Sequence, residues 1–212
     1  MSTDLDRRTR KRLATRQAIS DAATRLFMER GFDAVTVDEI AEAADVGRMT
    51  VFNHFPRKED MFFDLDEAGR NLLRNALRER DPGIAPIETL RLLAHRLVSD
   101  ESRYIRFFPG SQSFVATVEG SETLKARARA IRDELAADLA TTLAASVGRP
   151  SGDADAHLAA GLLLATWATA FIQSHRAFRH SRKAEEAKAT FLAIVDKGSI
   201  GLEAAMAGTA YA

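Results

Sequence analysis

Apolar residues recur at helical spacing along most of the chain, and no stretch shows the alternation of a half-buried strand. The first such pattern follows the i, i+3, i+4, i+7, i+8 spacing of one helical face, in Ile19, Ala22, Ala23, Leu26 and Phe27. Gly31 stands where a left-handed C-terminal cap is expected. The pattern therefore predicts a first helix over about residues 12–30.

A start signal for a second helix follows directly. Thr36 and Glu39 have the spacing of a capping box, in which each side chain accepts a hydrogen bond from the other residue's backbone N–H. Val35 and Ile40 flank them as a hydrophobic staple. This helix is predicted to end near Ala44, at the start of a turn.

A third short helix is predicted after the turn Asp45-Val46-Gly47. It runs from Arg48 to about His54 and stops before Pro56, because a residue that precedes proline is pushed out of the helical region. Isolated helices this short are marginal in water, so they must pack together and on the first helix. The positions available for that packing are Ile40, Ala41, Ala44, Val46, Val51 and Phe55.

Helical periodicity continues to the end of the sequence. A longer helix is predicted from Lys58 to about Arg80, where Asp81-Pro82-Gly83 breaks it. Further helices are predicted over about 86–99, 102–118, 121–147, 153–179 and 184–207. The predicted fold class is all-α with about nine helices.

The charges balance over the whole chain but not locally. The 212 residues include 30 basic and 30 acidic side chains, which gives a net charge of zero. Six basic residues and no acidic one lie between positions 7 and 20, namely Arg7, Arg8, Arg10, Lys11, Arg12 and Arg16. A local positive arm of this kind suits nucleic acid, although a solvated, disordered terminus explains it equally well.

Composition excludes several classes of protein. The absence of cysteine excludes disulfides and thiolate metal sites. The charged N-terminus is unlike a secretory signal. The longest uncharged apolar segment, 158–172, is shorter than the roughly 20 residues that span a bilayer. A cytoplasmic location is therefore expected.

The third helix presents a chemically distinct outer face, formed by Arg48, Met49, Thr50, Phe52, Asn53 and His54. Arginine can bridge guanine O6 and N7, asparagine can pair with adenine, and methionine or a threonine methyl can touch the thymine methyl. Because such helices usually contact bases from their N-terminal end, Arg48 is the first candidate for base recognition. The starts of the second helix, at Thr36, and of the fourth, at Lys58, are candidates for phosphate contacts. A helical hairpin with a merely solvated polar face is the alternative.

The stretches Gly31–Ala44 and Thr50–Asp60 resemble the head of TetR-family regulators, in the same order and at the same spacing, and the resemblance covers about 50 residues, from roughly 12 to 62. The resemblance implies phosphate contacts from Thr50, His54 and Lys58. It also implies DNA contacts from Arg48, Met49, Phe52 and Asn53. The implied domains are a basic arm (1–11), a helix-turn-helix DNA-binding domain (12–65) and a ligand-binding and dimerisation domain (66–212).

Three positions depart from the family pattern. Gly47 stands where a serine is usual and lacks the hydroxyl that could face a phosphate. Phe52 replaces the usual tyrosine, so its phosphate hydrogen bond is lost while apolar contact remains. Arg57 replaces the frequent Ser, Asn or Asp cap of the fourth helix. These changes are expected to weaken single contacts.

The remaining sequence suggests a homodimer. Apolar residues lie nearly all round the helix in 158–172, so a partner chain is the simplest cover for its second side. A stripe at spacing of three to four follows in the last helix: Phe191, Ile194, Val195, Gly198, Leu202 and Ala205. Gly198 and Gly201 would allow close approach. The resemblance implies a four-helix dimer interface from these two helices; plain monomer core is the alternative.

A pocket for a small apolar effector is predicted in the middle helices, lined by Tyr104, Phe107, Phe108, Phe114, Trp167 and Phe171. Simple core packing is the alternative for these rings. His157, His175 and His180 lack carboxylates at metal-ligand spacing, and no catalytic set assembles. The sequence thus predicts a ligand-responsive transcriptional repressor on a pseudo-palindromic double-stranded operator, without cofactor, metal or enzymatic activity. The competing hypotheses are a small helical enzyme and a helical interaction or ligand-binding module that has lost DNA binding.

Overall fold

The computed structural model describes residues 2–64 and 66–212, and the side chains of 7–64 and 68–212. Within those residues the secondary structure is entirely helical, in ten helices. They are α1 (Ser2–Arg30), α2 (Val37–Ala43), α3 (Arg48–His54), α4 (Lys58–Phe62), α5 (Asp66–Arg78), α6 (Pro86–Ser99), α7 (Pro109–Gly120), α8 (Glu122–Ser146), α9 (Ala154–Ser181) and α10 (Ala184–Ala205).

The chain forms two compact units. The first contains the described part of residues 1–65 together with 113–128, and the second contains 66–112 and 129–212. The first unit therefore includes most of α7 and the first turns of α8, a segment far along the chain from the helix-turn-helix. The family resemblance had implied that this segment belongs to the domain 66–212.

The core of the first unit is built on the predicted apolar faces. Ile19, Ala23 and Phe27 of α1 are fully buried, as are Ile40 of α2 and, behind α3, Val51 and Phe55. Ala44 and Val46 are partly buried against the same cluster. Two rings close the core, since Phe62 of α4 stacks on Phe114 of α7 with centroids 4.4 Å apart. The predicted inward positions of the short helices are confirmed.

Caps define the short helices as the sequence predicts. The Thr36 hydroxyl accepts from the Glu39 N–H at 3.3 Å, and the Glu39 carboxylate accepts from the Thr36 N–H at 2.8 Å, which is a complete capping box. Gly31 ends α1 with a φ of +83° and its N–H on the Phe27 carbonyl at 2.9 Å. Gly47 and Arg57 precede α3 and α4 without a side-chain cap bond.

The turn between α2 and α3 is a Schellman motif formed without glycine. The Val46 N–H reaches the Ala41 carbonyl at 3.0 Å, and the Asp45 N–H reaches the Glu42 carbonyl at 3.1 Å. Asp45 therefore adopts the left-handed region, with a φ of +52°. This turn sets the angle at which α3 leaves α2, and so aims the outer face of α3.

Three helix boundaries differ from the sequence prediction. The first helix begins at Ser2 rather than near residue 12, so the basic arm is part of α1. The predicted helix from Lys58 to Arg80 is two helices, α4 and α5. The third difference lies at 102–118, where helix begins only at Pro109. There Glu101, with a φ of +50°, closes α6 by a second glycine-free Schellman turn, in which the Ser102 N–H bonds the Leu97 carbonyl at 2.9 Å.

In the second unit α9 and α10 pack along each other. Phe191, Val195 and Leu202 of α10 are buried inside the chain. At Gly198 an added Cβ would lie 2.2 Å from the Thr166 methyl carbon, so this glycine is required by the close approach of the two helices. The stripe predicted as a dimer seam is therefore largely core of the single chain. Gly201, by contrast, faces open space.

A different face of the same two helices remains uncovered. Leu158, Leu162 and Ile172 of α9 are 50%, 40% and 45% exposed, and Ile200 of α10 is 67% exposed. Among the described residues α9 alone is long and apolar enough to cross a membrane. A third of its most apolar window is buried in the chain. The sequence prediction excluded a membrane span because the uncharged run 158–172 is too short, but α9 as a whole is longer than that run.

The glycine-free turn before α3 makes a prediction about stability. Asp45→Gly is expected to raise the free energy of unfolding by about 1 kcal/mol, because a residue with a Cβ is disfavoured in the left-handed region and glycine is not. Urea denaturation of the two proteins measures the difference. Asp45→Asn is the matched control, since asparagine removes the charge and keeps a Cβ. Equal stability of the glycine and asparagine variants would contradict the argument.

Candidate functional site

The outer face of α3 is open to solvent over its whole length. Arg48, Met49 and Asn53 are exposed, and the Met49 side chain, 71% exposed, is among the most exposed large apolar side chains described. Thr50, Phe52 and His54 are partly exposed. The six predicted contact residues of this helix therefore lie on the accessible side, while Val51 and Phe55 hold its back. An exposed methionine beside a cation and an amide is suited to base edges rather than to water.

Arg48 is held by two neighbours. Its Nη1 donates to the Asp38 carboxylate of α2 at 2.6 Å, and its guanidinium lies 5.5 Å from the centre of the Phe52 ring. Both ends of the ion pair are more than half exposed, so the pair contributes little to stability and can exchange for another acceptor. The arrangement orients the guanidinium at the N-terminal end of α3 and gives Phe52 a role as its support.

At the start of α2 the Glu39 carboxylate connects Thr36 with Arg30. The Glu39 carboxylate bonds Thr36 and lies 2.8 Å from Arg30 Nη1. The Thr36 N–H, then Arg30, lower the pKa of Glu39 to about 2, so the carboxylate stays charged. The Thr36 hydroxyl therefore serves the capping box, and the predicted phosphate contact at this position falls to backbone N–H groups beside a carboxylate that Arg30 neutralises.

Lys58 is engaged within its own unit. Its Nζ donates to the Val35 carbonyl at 2.6 Å and lies 4.2 Å from the centre of the Phe32 ring. Burial lowers the pKa of its ammonium, against the smaller raising effect of Asp33 and nearby glutamates. An ammonium has three N–H donors, so a second acceptor remains possible. Lys58 thus positions the segment before α2 whether or not it also meets a phosphate.

His54 lies beside two arginines of α1. Burial, then the charges of Arg12 and Arg16, lower the pKa of its imidazole, so the ring is neutral at pH 7. Arg16 also donates to the His54 carbonyl at 2.6 Å and lies 4.0 Å from the centre of the Phe55 ring. The neutral ring can donate one hydrogen bond to a phosphate without adding charge. The charge at this end of α3 comes from α1.

Sequence reasoning missed the two residues that orient this site. Arg16, which ties the end of α3 to α1 and forms an ion pair with Asp64 at 2.5 Å, was grouped with the basic arm. Asp38 was not singled out at all. Neither contact has a fixed spacing along the chain, since Arg16 meets a residue 38 positions away, so periodicity could not reveal it.

The six residues predicted to line a ligand pocket do not come together. Phe114 belongs to the core of the first unit, stacked on Phe62, because the segment 113–128 packs with the helix-turn-helix. Trp167 packs edge-on against Phe191 at 6.2 Å. Phe107 and Phe108 line a cleft of about 250 Å³ beside Ile105 and Lys188, and Tyr104 packs against the core of the second unit. Phe171 contacts His175, with ring centroids 4.4 Å apart, and Phe107 contacts the same ring at 5.0 Å, so two of the six predicted residues meet there.

His175 is the buried histidine of the second unit. It is 2% exposed, on the inner face of α9, and both Phe107 and Phe171 pack edge-on against its ring. Burial lowers the pKa of this imidazole to about 4, so the ring is neutral at pH 7. Its Nε2 has no hydrogen-bond partner. No group of three or more metal-ligating side chains forms in the part of the chain that the structure describes.

Comparison with known proteins finds a family model that matches the helix-turn-helix part of the chain. Residues 19–65 match the model of bacterial regulatory proteins of the tetR family. The HTH-type transcriptional regulator AcrR of Shigella flexneri is 38% identical over 89 residues, which are 40% of this chain and 41% of AcrR. The chain thus spans about two fifths of the length of this relative, as it does of the regulator YhgD of Bacillus subtilis.

Solved structures extend the likeness to the whole fold. Thermus thermophilus FadR, a repressor in complex with lauroyl-CoA, has a TM-score of 0.51 at 26% identity over 86% of this chain and 94% of that one. The SmeT–triclosan complex has a TM-score of 0.57 at 19% identity, over 89% of this chain and 91% of that chain. The second comparison shows the fold alone.

Burial of neutral His175 predicts acid sensitivity. As pH falls from 6.5, the unfolded chain takes up a proton at this ring while the folded chain resists until about pH 4. Stability present above pH 6.5 is therefore lost over that window, by on the order of 3 kcal/mol. His175→Phe lacks the effect. Urea denaturation of both proteins between pH 7 and pH 4 tests it, because His54 titrates in both and cancels; parallel curves would contradict the prediction.

Proposed function

We propose that this chain, whose residues 19–65 match the model of bacterial regulatory proteins of the tetR family, is a TetR-family homodimer that acts as a sequence-specific DNA-binding repressor and is released by a small apolar ligand. The observation that carries the proposal is the outer face of α3. Six side chains suited to DNA point away from a helix whose back, at Val51 and Phe55, is fully buried. The proposed activity is binding, in the bacterial cytoplasm, without catalysis.

Electrostatics support a duplex as the partner of this face. Arg7, Arg8, Arg10, Lys11 and Arg12 are all exposed along α1. Their charge is local on a chain whose net charge is zero, so it can attract phosphates without making the whole protein basic. We assign base recognition to Arg48, Met49 and Asn53, and contacts to the DNA backbone to Thr50, His54, Lys58 and the first backbone N–H groups of α2 that follow Thr36. Phe52 supports Arg48 and offers apolar contact.

The uncovered face of α9 and α10 supports a homodimer. We define the dimer face as Leu158, Leu162 and Ile172 of α9 with Ile200 of α10, all at least 40% exposed. Gly161 and Gly201 on the same helices face open space, which leaves room for close approach of a second copy. A two-fold dimer presents two α3 helices to successive major grooves, about 34–36 Å apart, and so suits a pseudo-palindromic operator.

Relatives support a small apolar ligand as the effector. FadR was solved with lauroyl-CoA and SmeT with triclosan, both of which carry large apolar groups. In this chain the aromatic residues around Phe107 and Phe171 are the proposed receiving site. A coupling of 1–3 kcal/mol between ligand and DNA binding would change operator affinity by about 5- to 150-fold.

Substitutions on α3 and α4 test the DNA-binding proposal. Arg48→Ala is expected to cost about 1–3 kcal/mol on the preferred sequence and to relax specificity, because it removes a base contact. Lys58→Met is expected to weaken binding on all sequences and to reduce the salt slope by about one, because it removes a phosphate contact and keeps an unbranched apolar side chain at this position. Fluorescence anisotropy measures both, on the duplex that flanks the protein's own gene, over a salt titration.

Arg78→Ala is the matched control, since Arg78 is exposed on α5 in the second unit and the same charge is removed. Its affinity should equal that of the wild type. Failure of the wild type to bind any duplex at low salt would favour a module that has lost DNA binding. If the Lys58→Met variant lost stability but kept full DNA affinity, the role of Lys58 would be limited to its hydrogen bond with the Val35 carbonyl.

Charges on the dimer face test the assembly. The double variant Leu158→Glu/Leu162→Glu is expected to be monomeric by light scattering, since two carboxylates would be desolvated in a dimer. Leu13→Glu is the control, because Leu13 is 60% exposed on α1 and lies outside the dimer face. An unchanged mass for the double variant would refute the interface. Sedimentation of the wild-type protein with lipid vesicles, bound through α9, would also refute it.

A further inference from the structure

Among the buried polar atoms of the second unit that lack a hydrogen-bond partner, one points to a specific ligand chemistry. The Nε2 atom of His175 is inaccessible to solvent and bonds nothing in the chain. The rings of Phe107 and Phe171 flank the imidazole, with centroids 5.0 and 4.4 Å away. A phenyl ring is at best a weak acceptor, so neither neighbour replaces a true hydrogen-bond partner.

Gln112 fixes which ring nitrogen of His175 carries the proton. The amide nitrogen of Gln112 donates to the His175 backbone carbonyl at 2.6 Å. A carbonyl can only accept, so this end of the side-chain amide is the NH₂ group. The same nitrogen lies 3.4 Å from His175 Nδ1, and because an amide nitrogen donates, we assign Nδ1 as the accepting nitrogen of the ring. In a neutral imidazole the proton is then on Nε2.

The unpartnered atom is thus a buried donor, which is costly to leave unsatisfied. We propose that His175 Nε2–H is the polar anchor for an apolar ligand that carries a neutral acceptor oxygen, such as a ketone, ester or ether, and that reaches the imidazole by displacing the Phe107 ring. The inference rests on the proposed ligand response and names its chemistry. It also gives Phe107 and Phe171, two of the aromatic residues predicted to line a pocket, a shared polar centre at His175.

A neutral acceptor fits better than an anion. The imidazole offers a hydrogen bond but no charge, and a buried carboxylate without a cation is strongly disfavoured. Two cations line the adjoining cleft: Lys188 is already paired with Glu185 at 2.9 Å and Glu101 at 3.4 Å, and Arg106 donates to the Glu101 backbone carbonyl at 3.1 Å. Ligand recognition here therefore depends on one directional hydrogen bond within apolar walls.

Phe107 connects the anchor to solvent. Its ring contacts His175, and the same residue lines the cleft of about 250 Å³ with Phe108 and Ile105. Phe108 is 48% exposed. A cleft of this volume suits a compact ligand that displaces the Phe107 ring. Entry through this cleft predicts that the protein binds small, flexible molecules more tightly than large, rigid ones.

A pair of probes that differ in one atom group tests the anchor. In 2-nonanone a carbonyl oxygen takes the place of the methylene group in 2-methyl-1-nonene, and the carbon skeletons are otherwise alike. Wild-type protein is expected to bind the ketone about tenfold more tightly than the alkene, as one buried hydrogen bond provides. Titration calorimetry on the full chain measures both. Equal affinities, or no binding of the ketone, would overturn the proposal.

His175→Phe keeps an aromatic ring between Phe107 and Phe171 and removes the donor. In this variant the ratio of the two affinities is expected to fall to about one. A ratio that stays near ten would place the recognising donor elsewhere and overturn the assignment. Trp167, the single tryptophan of the chain and two helical turns before His175 on α9, reports the folding of the variant by its fluorescence.

A measurement on the unmodified protein tests the tautomer itself. Long-range proton–nitrogen spectra of histidine rings distinguish the two neutral forms, and His175 should show the Nε2–H form at pH 7. Addition of 2-nonanone should shift that proton downfield. An Nδ1–H or charged ring would overturn the inference. Duplex binding is measured separately, so a protein that selects the ketone without binding DNA would keep this site and refute the repressor.

Discussion

Seven residues make up α3, too few for a helix that is stable alone in water, so its geometry depends on the burial of Val51 and Phe55. Those two side chains, one turn apart, fix the rotation of α3 against α1 and thereby decide which residues face outward. Arg16 reinforces the same contact by lying over the Phe55 ring and bonding the last carbonyl of α3. The polar outer face exists because the apolar back is anchored.

Local chemistry could be predicted from the sequence, and distant pairing could not. The capping box at Thr36, the glycine that ends α1 and the two-sided pattern of α3 all depend on residues within a few positions. The turns at Asp45 and Glu101 were harder, because a left-handed cap is recognised by glycine and here it is formed by acidic residues. One of these misplaced a helix boundary, at 102–108.

Contacts between distant segments explain the remaining differences. Phe114 and Leu124 complete the core of the first unit, although they lie some 60 residues beyond its other members; their apolar spacing alone fits either unit. The pairing of Asp38 with Arg48 likewise has no sequence signature. In the second unit the stripe of α10 was correctly identified as apolar but assigned to the wrong partner, since Gly198 packs on Thr166 of the same chain. Apolar periodicity predicts burial, not the partner that provides it.

The most direct measurement follows the backbone amides of the protein by nuclear magnetic resonance while the duplex from its own gene's flank is added. The account predicts that the largest shifts fall on Arg48–His54, with smaller ones along the basic part of α1, and that Val51 and Phe55 keep their protection from hydrogen exchange. Shifts confined to α9 and α10, or an α3 unchanged at saturating duplex, would contradict the claim that this helix presents its outer face to DNA.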